Sequence, residues 1–104
     1  KYWVVEDANG KVVGGSGIGA LTEDVCELQK MYCLTEARGT GIAQHLMNMC
    51  LSYAKQCYKK CYLETFENMI AANKFYQKNG FVRLEKPYLE TEHFSCDAWY
   101  IKDL

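Results

Sequence analysis

The sequence predicts an α/β (α+β) fold in which two helices pack on one mixed central sheet, with the element order β-β-β-α-β-α-β-β. A length of 104 residues, 49% of them hydrophobic, supplies one core and leaves no room for a second. The hydrophobic period changes from strand-like to helical at Gly41. It is helical again before Gly80, a residue suited to end a helix. We therefore treat residues 1–104 as a single domain.

The first forty residues are predicted to form three strands joined by tight turns. The strands cover residues 2–6, 11–21 and 25–34. Between the first two, Asp7-Ala8-Asn9-Gly10 has the composition of a hairpin turn with glycine in the left-handed position. The second strand is rich in glycine, which favours bulges or a close approach of another group to the backbone. These glycines are Gly14, Gly15, Gly17 and Gly19.

The rest of the chain is predicted to contain two helices and three strands. An apolar stripe at helical spacing predicts the first helix from Gly41 to about Lys55. The stripe consists of Ile42, Leu46, Met49, Cys50, Tyr53 and Ala54. The second helix is marked by Ala72, Phe75, Tyr76 and Asn79. Strands are predicted at 60–65, 81–84 and 98–102, and a loop or irregular strand at 88–94.

Composition and charge argue against several classes of partner. Twelve Lys and Arg residues against thirteen Asp and Glu give a net charge of -1, so no nucleic-acid partner is expected. No run of about 18 apolar residues is present, so no membrane span is expected. Lys1 begins directly in strand-like sequence without a leader, and the N-terminus looks like the remainder of a longer chain. We expect a cytoplasmic location.

The six cysteines match neither a disulfide framework nor a metal site. No pair has the Cys-x-x-Cys spacing, and the two histidines lie far apart in the sequence. Cys26, Cys33, Cys50 and Cys61 each fall in apolar stretches. This placement is typical of buried, reduced thiols in a cytosolic protein, and we expect no metal.

The segment Glu36-Ala37-Arg38-Gly39-Thr40-Gly41-Ile42-Ala43 joins a predicted strand to a predicted helix. Its two glycines permit backbone conformations that a Cβ atom would block. An ordinary helix begins with a capping side chain or an acidic first turn, but no Asp or Glu occurs between Ala37 and Leu63. The free amides and dipole of such a helix suit an external anion such as a phosphate or diphosphate. The alternative is a flexible glycine turn in which Thr40 is a plain cap.

Common phosphate motifs do not fit this segment. The P-loop pattern is absent from the chain. The dinucleotide fingerprint would require glycine where Gln44 stands, and the other glycine-rich stretch precedes a strand rather than a helix.

Residues 36–41 instead resemble the central motif of the GNAT (Gcn5-related N-acetyltransferase) family, Gln/Arg-x-x-Gly-x-Gly/Ala. The glycines match, Arg38 stands at an often basic position, and Glu36 departs from the pattern. The resemblance implies that acetyl-CoA is the cosubstrate and that backbone amides hold its diphosphate. The implied residues are Arg38, Gly39, Thr40, Gly41, Ile42, Ala43 and Gln44.

A second stretch strengthens this resemblance. Residues 68–81 are similar to the family segment Asn-(x)n-Ala-x-x-x-Tyr-x-x-x-Gly-Phe. The likeness extends over roughly residues 2–104, and it implies that the first strand and first two helices of the family are lacking here. Those elements form one wall of the acceptor site in the family, so the acceptor is predicted only as a primary amine.

Direct transfer from a thioester to an amine requires a base, an oxyanion site and an acid. The resemblance implies that Tyr76 protonates the departing thiolate, because a phenol with a pKa near 10 is protonated at neutral pH. Glu27 is the candidate base, with an exposed face or a Lys30 partner as the alternative reading. Backbone groups of Met31, Tyr32 and Cys33 are the expected oxyanion and pantetheine partners.

The sequence also allows other ligand residues, other functions and a dimer. Asn68 and Asn73 are candidate cofactor ligands, although asparagine near a helix start is more often a cap. The domain could be a non-catalytic acyl-CoA-binding module or sensor, or it could bind a nucleotide. The segment 88–104 could supply the edge of a homodimer.

Overall fold

In the computed structural model, residues 1–88 and 96–104 are described, and they contain six strands and two α-helices. The strands are β1 (Tyr2–Glu6), β2 (Val12–Ala20), β3 (Val25–Cys33), β4 (Lys60–Thr65), β5 (Val82–Leu84) and β6 (Ala98–Asp103). The helices are α1 (Ile42–Cys57) and α2 (Ile70–Lys78), and a 3-10 turn covers Thr35–Ala37. The predicted α/β (α+β) class and element order are confirmed. The segment predicted as a loop at 88–94 lies, beyond Tyr88, outside the described residues.

The strands form one mixed sheet in the order β1-β2-β3-β4-β6-β5. Strands β1, β2 and β3 pair antiparallel, β3 and β4 pair parallel, and β6 pairs antiparallel with both β4 and β5. A parallel pair needs a crossover connection, and α1 provides it between β3 and β4. Because β6 lies between two strands, the expectation that 88–104 supplies a dimer edge is wrong for Ala98–Asp103. The sheet edges are β1 and β5.

Helix α1 packs its apolar side on one face of the sheet. Leu46, Met47, Cys50 and Ala54 are fully buried there. The predicted stripe included Met49, which is 37% exposed, and omitted Met47. The buried side is therefore rotated from the predicted one toward Met47, and α1 lies against β1, β2 and β3.

The face under α1 also receives α2, and we call it the helix-covered face. Its sheet residues include Cys26, Leu28, Leu63 and Tyr100, which share one core with α1. Phe75 and Tyr76 of α2 pack against the same core. Gly80 ends α2 with a φ of +88°, as predicted, and the N–H of Phe81 donates to the Tyr76 carbonyl at 3.1 Å.

On the opposite face the aromatic ring of Tyr2 lies directly over β2. A Cβ atom on Gly15 would stand 2.7 Å from the Tyr2 hydroxyl, and one on Gly17 would stand 2.7 Å from its ring. These two glycines therefore mark a close approach, which was one of the two predicted roles. Gly10, with a φ of +81°, closes the predicted hairpin turn.

All six cysteines are free thiols, as expected. Cys26, Cys50 and Cys61 are buried, and burial raises the pKa of the Cys50 thiol, which keeps it protonated. Cys57 is exposed. Among the described residues no helix combines the length and apolar character needed to cross a membrane.

Candidate active site

Strands β3 and β4 separate from each other along their length. Their parallel pairing covers only Val25–Glu27 against Lys60–Tyr62. Both strands continue beyond this point, but no further pair joins them in the part of the chain that the structure describes. The two diverging segments, 28–33 and 63–65, form a gap in the sheet that we call the fork.

A bulge in β3 lies beside the fork. The pairing of β2 with β3 shifts by one residue between Gly15 and Gly17, which pair with Tyr32 and Gln29. Lys30 absorbs the extra residue with a φ of +52°, an uncommon conformation for a residue with a side chain. Bulges bend the strand that carries them, and this one lies just beyond the point where β3 and β4 stop pairing.

The backbone of β3 exposes hydrogen-bonding groups to the fork. The Leu34 N–H donates to the Val13 carbonyl at 2.8 Å, so it points toward β2. Because amide direction alternates along an extended chain, the N–H of Cys33 points away from β2 and toward the fork. Met31, two residues earlier, is oriented the same way. The N–H groups of Met31 and Cys33, two of the predicted ligand residues, therefore face the fork.

The chain then forms a glycine loop that opens α1. Gly39 and Gly41 have φ values of +80° and +84°, a conformation that favours glycine. Gly41 is the N-cap, with no side-chain cap hydrogen bond and no acidic residue in the first turn. The first bond of the helix runs from the His45 N–H to the Gly41 carbonyl at 3.0 Å.

The start of α1 therefore presents three amides without partners inside the helix. These are the N–H groups of Ile42, Ala43 and Gln44. The Thr40 hydroxyl donates to the Ala37 carbonyl rather than capping the helix, which removes the plain-cap alternative. The amides and the helix dipole favour an anion at this end.

A cleft of about 240 Å³, which we call the phosphate cleft, lies in front of these amides. It is lined by Cys33, Arg38, Gly39, Gly41, Ala43 and Gln44, among others. Phe75 and Lys78 of α2 also line it, and sequence reasoning missed both. Lys78 could have been found as a cation two residues after Tyr76 on the same short helix. Together Arg38 and Lys78 place two cations beside the helix N-terminus.

The carboxylate that could compete with a bound anion is paired elsewhere. Glu36 lies in the 3-10 turn just before the loop, and its Oε1 is 2.7 Å from Lys11 Nζ. This contact raises the pKa of Lys11. Glu36 does not line the phosphate cleft.

Tyr76 lies on the helix-covered face beside the fork. Its ring is 6.1 Å from that of Tyr100, and Tyr100 pairs with Leu63, the first β4 residue beyond the last β3–β4 pair. Phe75 and Phe81 complete its aromatic surroundings, at 6.0 and 6.2 Å. Burial raises the pKa of Tyr76 above 10.0, so its phenol is protonated at neutral pH and can donate a proton.

Glu27 lies at the same level of the fork on the opposite face. It is 4% exposed and is the last β3 residue paired with β4, opposite Tyr62. Gln29 Nε2 donates to Glu27 Oε1 at 3.0 Å, and the burial of Glu27 excludes the alternative reading of an exposed face. Glu27 and Tyr76 thus flank the fork from its two sides.

A second cleft, of about 180 Å³, opens beside Glu27. Glu64 and Cys96 also line it, and sequence reasoning missed both. Glu64 accepts a hydrogen bond from the Tyr62 hydroxyl at 3.0 Å. Burial raises the pKa of Cys96, and the charges of Glu64, Asp97 and Glu27 raise it further, so this thiol is not activated. The spacing of Tyr62 and Glu64 in β4 could have indicated that both side chains share the face of Glu27.

Five predicted ligand residues do not line the phosphate cleft: Met31, Tyr32, Thr40, Asn68 and Asn73. Asn73 donates to the carbonyls of Met69 and Phe66 at 2.7 and 3.0 Å and accepts from the Tyr100 hydroxyl at 2.6 Å. Its side chain therefore closes the start of α2. Asn68 is exposed in the connection before α2. Tyr32 is 42% exposed, and its ring approaches Gly15.

A family model described as the acetyltransferase (GNAT) domain matches residues 1–83, most of the chain. The protein therefore belongs to the GNAT acetyltransferase family.

The chain is also similar to individual proteins in sequence or in fold. The uncharacterized N-acetyltransferase YjgM of Escherichia coli K12 is 41% identical over 107 residues, covering 99% of this chain and 64% of YjgM. A GNAT-family acetyltransferase from Staphylococcus aureus Mu50 has a TM-score of 0.89 at 24% identity, over 98% of this chain and 66% of that one. A Mycobacterium tuberculosis protein solved with CoA and NLQ has a TM-score of 0.82 at 20% identity, over 100% and 76%. The chain thus spans less than two-thirds of the length of YjgM.

Proposed function

We propose that this domain transfers an acetyl group from acetyl-CoA to a primary amine by direct attack in a ternary complex. The observation that carries the proposal is the continuity of the fork with the uncapped start of α1. Cys33 both ends β3 at the fork and lines the phosphate cleft. Acetyl-CoA is a long thioester with a diphosphate toward one end. The start of α1 suits the diphosphate, and the fork suits the arm that carries the thioester.

The binding part of the proposal assigns two roles to backbone amides. The N–H groups of Ile42, Ala43 and Gln44 hold the diphosphate, with Arg38 as a nearby cation. The β3 donors of Met31 and Cys33 bind the pantetheine arm, as an added strand would pair with a free sheet edge. That the Mycobacterium tuberculosis protein of similar fold was solved with CoA supports this assignment.

The chemical part of the proposal assigns two protons. Glu27, directly or through water, accepts the proton of the incoming ammonium, and the neutral amine attacks the thioester carbonyl. The C–N bond forms, the C–S bond breaks, and Tyr76 donates its proton to the departing thiolate. The acylated nitrogen loses its extra proton to the Tyr76 phenolate, directly or through water, and Glu27 releases the proton it accepted to solvent. Because the two residues flank the fork from opposite faces, the acceptor would enter beside Glu27 while the thiolate leaves toward Tyr76.

The experiment that tests the proposal combines a binding assay with a turnover assay. We expect acetyl-CoA and CoA to raise the melting temperature, whereas ATP and NAD do not. Thiol release from acetyl-CoA is then measured across a panel of primary amines.

The Tyr76→Phe variant separates an enzyme from a binding module. We expect it to lose about 10²-fold in turnover, the usual contribution of a general acid, while the thermal shift with CoA persists. Tyr53→Phe, on α1 next to Trp3, is the matched control and keeps full activity. CoA binding without thiol release for any amine would instead identify a non-catalytic acyl-CoA-binding module.

A further inference from the structure

Two side-chain amides join the start of α1 to the end of α2. Gln44 Nε2 donates to Asn79 Oδ1 at 2.7 Å, and Asn79 Nδ2 donates to Gln44 Oε1 at 3.3 Å. Both residues are half-buried. The pair is therefore a reciprocal contact between two helices that no backbone ladder connects.

Each residue of the pair also belongs to an element of the candidate site, one to the start of α1 and the other to the end of α2. Gln44 contributes the third free N–H at the start of α1. Asn79 closes the last turn of α2, because its N–H bonds to the carbonyls of Phe75 and Tyr76 at 3.2 and 3.1 Å. Its Nδ2 also donates to the Phe75 carbonyl at 2.9 Å. The same contact thus links the diphosphate-binding turn to the turn that carries Tyr76.

Helix α2 is also held on β6. No residue of α2 belongs to the fully buried core. The Tyr100 hydroxyl donates to Asn73 at 2.6 Å and accepts from Gln77 Nε2 at 3.2 Å, which holds the first and last turns of α2 on β6. The amide pair is a second contact at the last turn, and it is the one that leads to the phosphate cleft.

We propose that the Gln44–Asn79 pair is a positioning device that transmits occupancy of the phosphate cleft to Tyr76. This inference rests on the proposed function, because it concerns the same site and the same ligand. An anion bound to the Gln44 N–H fixes the backbone of the residue whose side chain holds Asn79. Asn79 in turn holds the turn that carries Tyr76, so seating the far end of the thioester reinforces the position of the phenol.

The test uses 3′-phosphoadenosine 5′-diphosphate, which has the diphosphate end of CoA but no pantetheine arm. Ring-¹³C-labelled tyrosine is followed by NMR, and Tyr76→Phe identifies the Tyr76 resonance. In the wild-type protein we expect the probe to shift that resonance. In Gln44→Met, which keeps the backbone N–H but loses the amide, the probe binds and the shift at Tyr76 is lost.

Two further variants control the result. Gln44 Nε2 also donates to Asn48 Oδ1 at 2.9 Å, so Asn48→Ala removes that bond alone and should keep the wild-type shift. Asn79→Ala breaks the pair from the other side and should reproduce Gln44→Met, with no further loss in the double variant.

The outcomes separate the two proposals. A Tyr76 shift that survives in both Gln44→Met and Asn79→Ala, or that is absent from the wild-type protein with the probe bound, overturns the positioning device alone. Failure of the wild-type protein to bind the probe removes the proposed cofactor site, and the device falls with it.

Discussion

At the scale of single residues, the two proposed proton carriers occupy opposite environments. Tyr76 is surrounded by three aromatic rings, and its raised pKa keeps the phenol protonated. Glu27 is nearly fully buried, and its carboxylate accepts a hydrogen bond from the side-chain amide of Gln29. Amine acylation requires a general acid and a general base, and the proposed assignment places one on each side of the fork.

A substitution of Glu27 tests the base through its pH dependence. We expect Glu27→Gln to lower turnover about 10²-fold near neutral pH, because the acceptor must then lose its proton unaided. The defect should shrink as the pH approaches about 10.4, the usual pKa of a lysine-type amine. Thiol release by both proteins is measured across this range. Glu67→Gln, which alters only an exposed carboxylate near Arg83, is the control. A constant ratio between Glu27→Gln and wild type at every pH would exclude Glu27 as the base.

At the scale of elements, α1 begins in a way that favours binding over helix stability. A glycine cap without a side-chain hydrogen bond and a first turn without acidic residues leave the amides of Ile42, Ala43 and Gln44 for a ligand. A capping residue at this position is worth about 1 kcal/mol in helices generally, and the chain does without it.

This arrangement predicts opposite effects of one charge on stability and binding. Ala43→Asp should raise the unfolding free energy of the ligand-free protein by about 0.3–1 kcal/mol, because a carboxylate in the first turn suits the helix dipole. The same carboxylate should abolish the thermal shift with acetyl-CoA by repelling the diphosphate. Urea unfolding and thermal shift measure the two effects.

Ser52→Asp provides the matched control for this prediction. It adds the same charge to an exposed position of α1 well away from the phosphate cleft, so the acetyl-CoA shift should persist. An undiminished shift in Ala43→Asp would show that the diphosphate lies elsewhere.

At the scale of the whole molecule, one sheet separates a helix-covered face from a face that carries Glu27, Tyr62 and Glu64. The fork connects the two faces. Tyr62 pairs with Glu27 of β3 and with Ile101 of β6, and it is fully buried at the base of the fork. The fold thus places the fork, the proposed catalytic opening, beside fully buried residues.

The burial of Tyr62 predicts a loss of stability in alkali. Burial, and then the hydrogen bond to Glu64, raises the pKa of Tyr62 above 10.0. The unfolded chain therefore releases this proton at a lower pH than the folded one, so the stabilisation is complete below about pH 10 and is lost above it. We expect the difference in melting temperature between wild type and Tyr62→Phe to be constant from about pH 7 to 9 and to narrow above about pH 10. A difference that stays constant into alkali would contradict this assignment.

Much of the fold could be predicted from the sequence because its signals are local. The loop glycines, the missing first-turn carboxylate and the Gly80 cap are each visible within a few residues, and each is confirmed. The β2 glycines predicted a bulge or a close approach, and the register shift does fall between Gly15 and Gly17. That the extra residue would be Lys30 on the partner strand could not be predicted, because Lys30 is not a glycine. The fork forms where two strands that are distant in the sequence stop pairing. The side-chain pattern within a strand does not indicate which other strand it pairs with, so the fork could not be predicted. The contact between Gln44 and Asn79 likewise joins residues 35 positions apart.

The central claim is that the fork and the start of α1 together hold acetyl-CoA, and amide NMR of the ¹⁵N-labelled protein tests it most directly. Titration with acetyl-CoA should shift the backbone resonances of residues 39–44 in the loop and helix start and of residues 31–33 in β3, and leave β1 and the end of α1 unchanged. Shifts confined to other parts of the sheet, or no shifts at saturating acetyl-CoA, would contradict it.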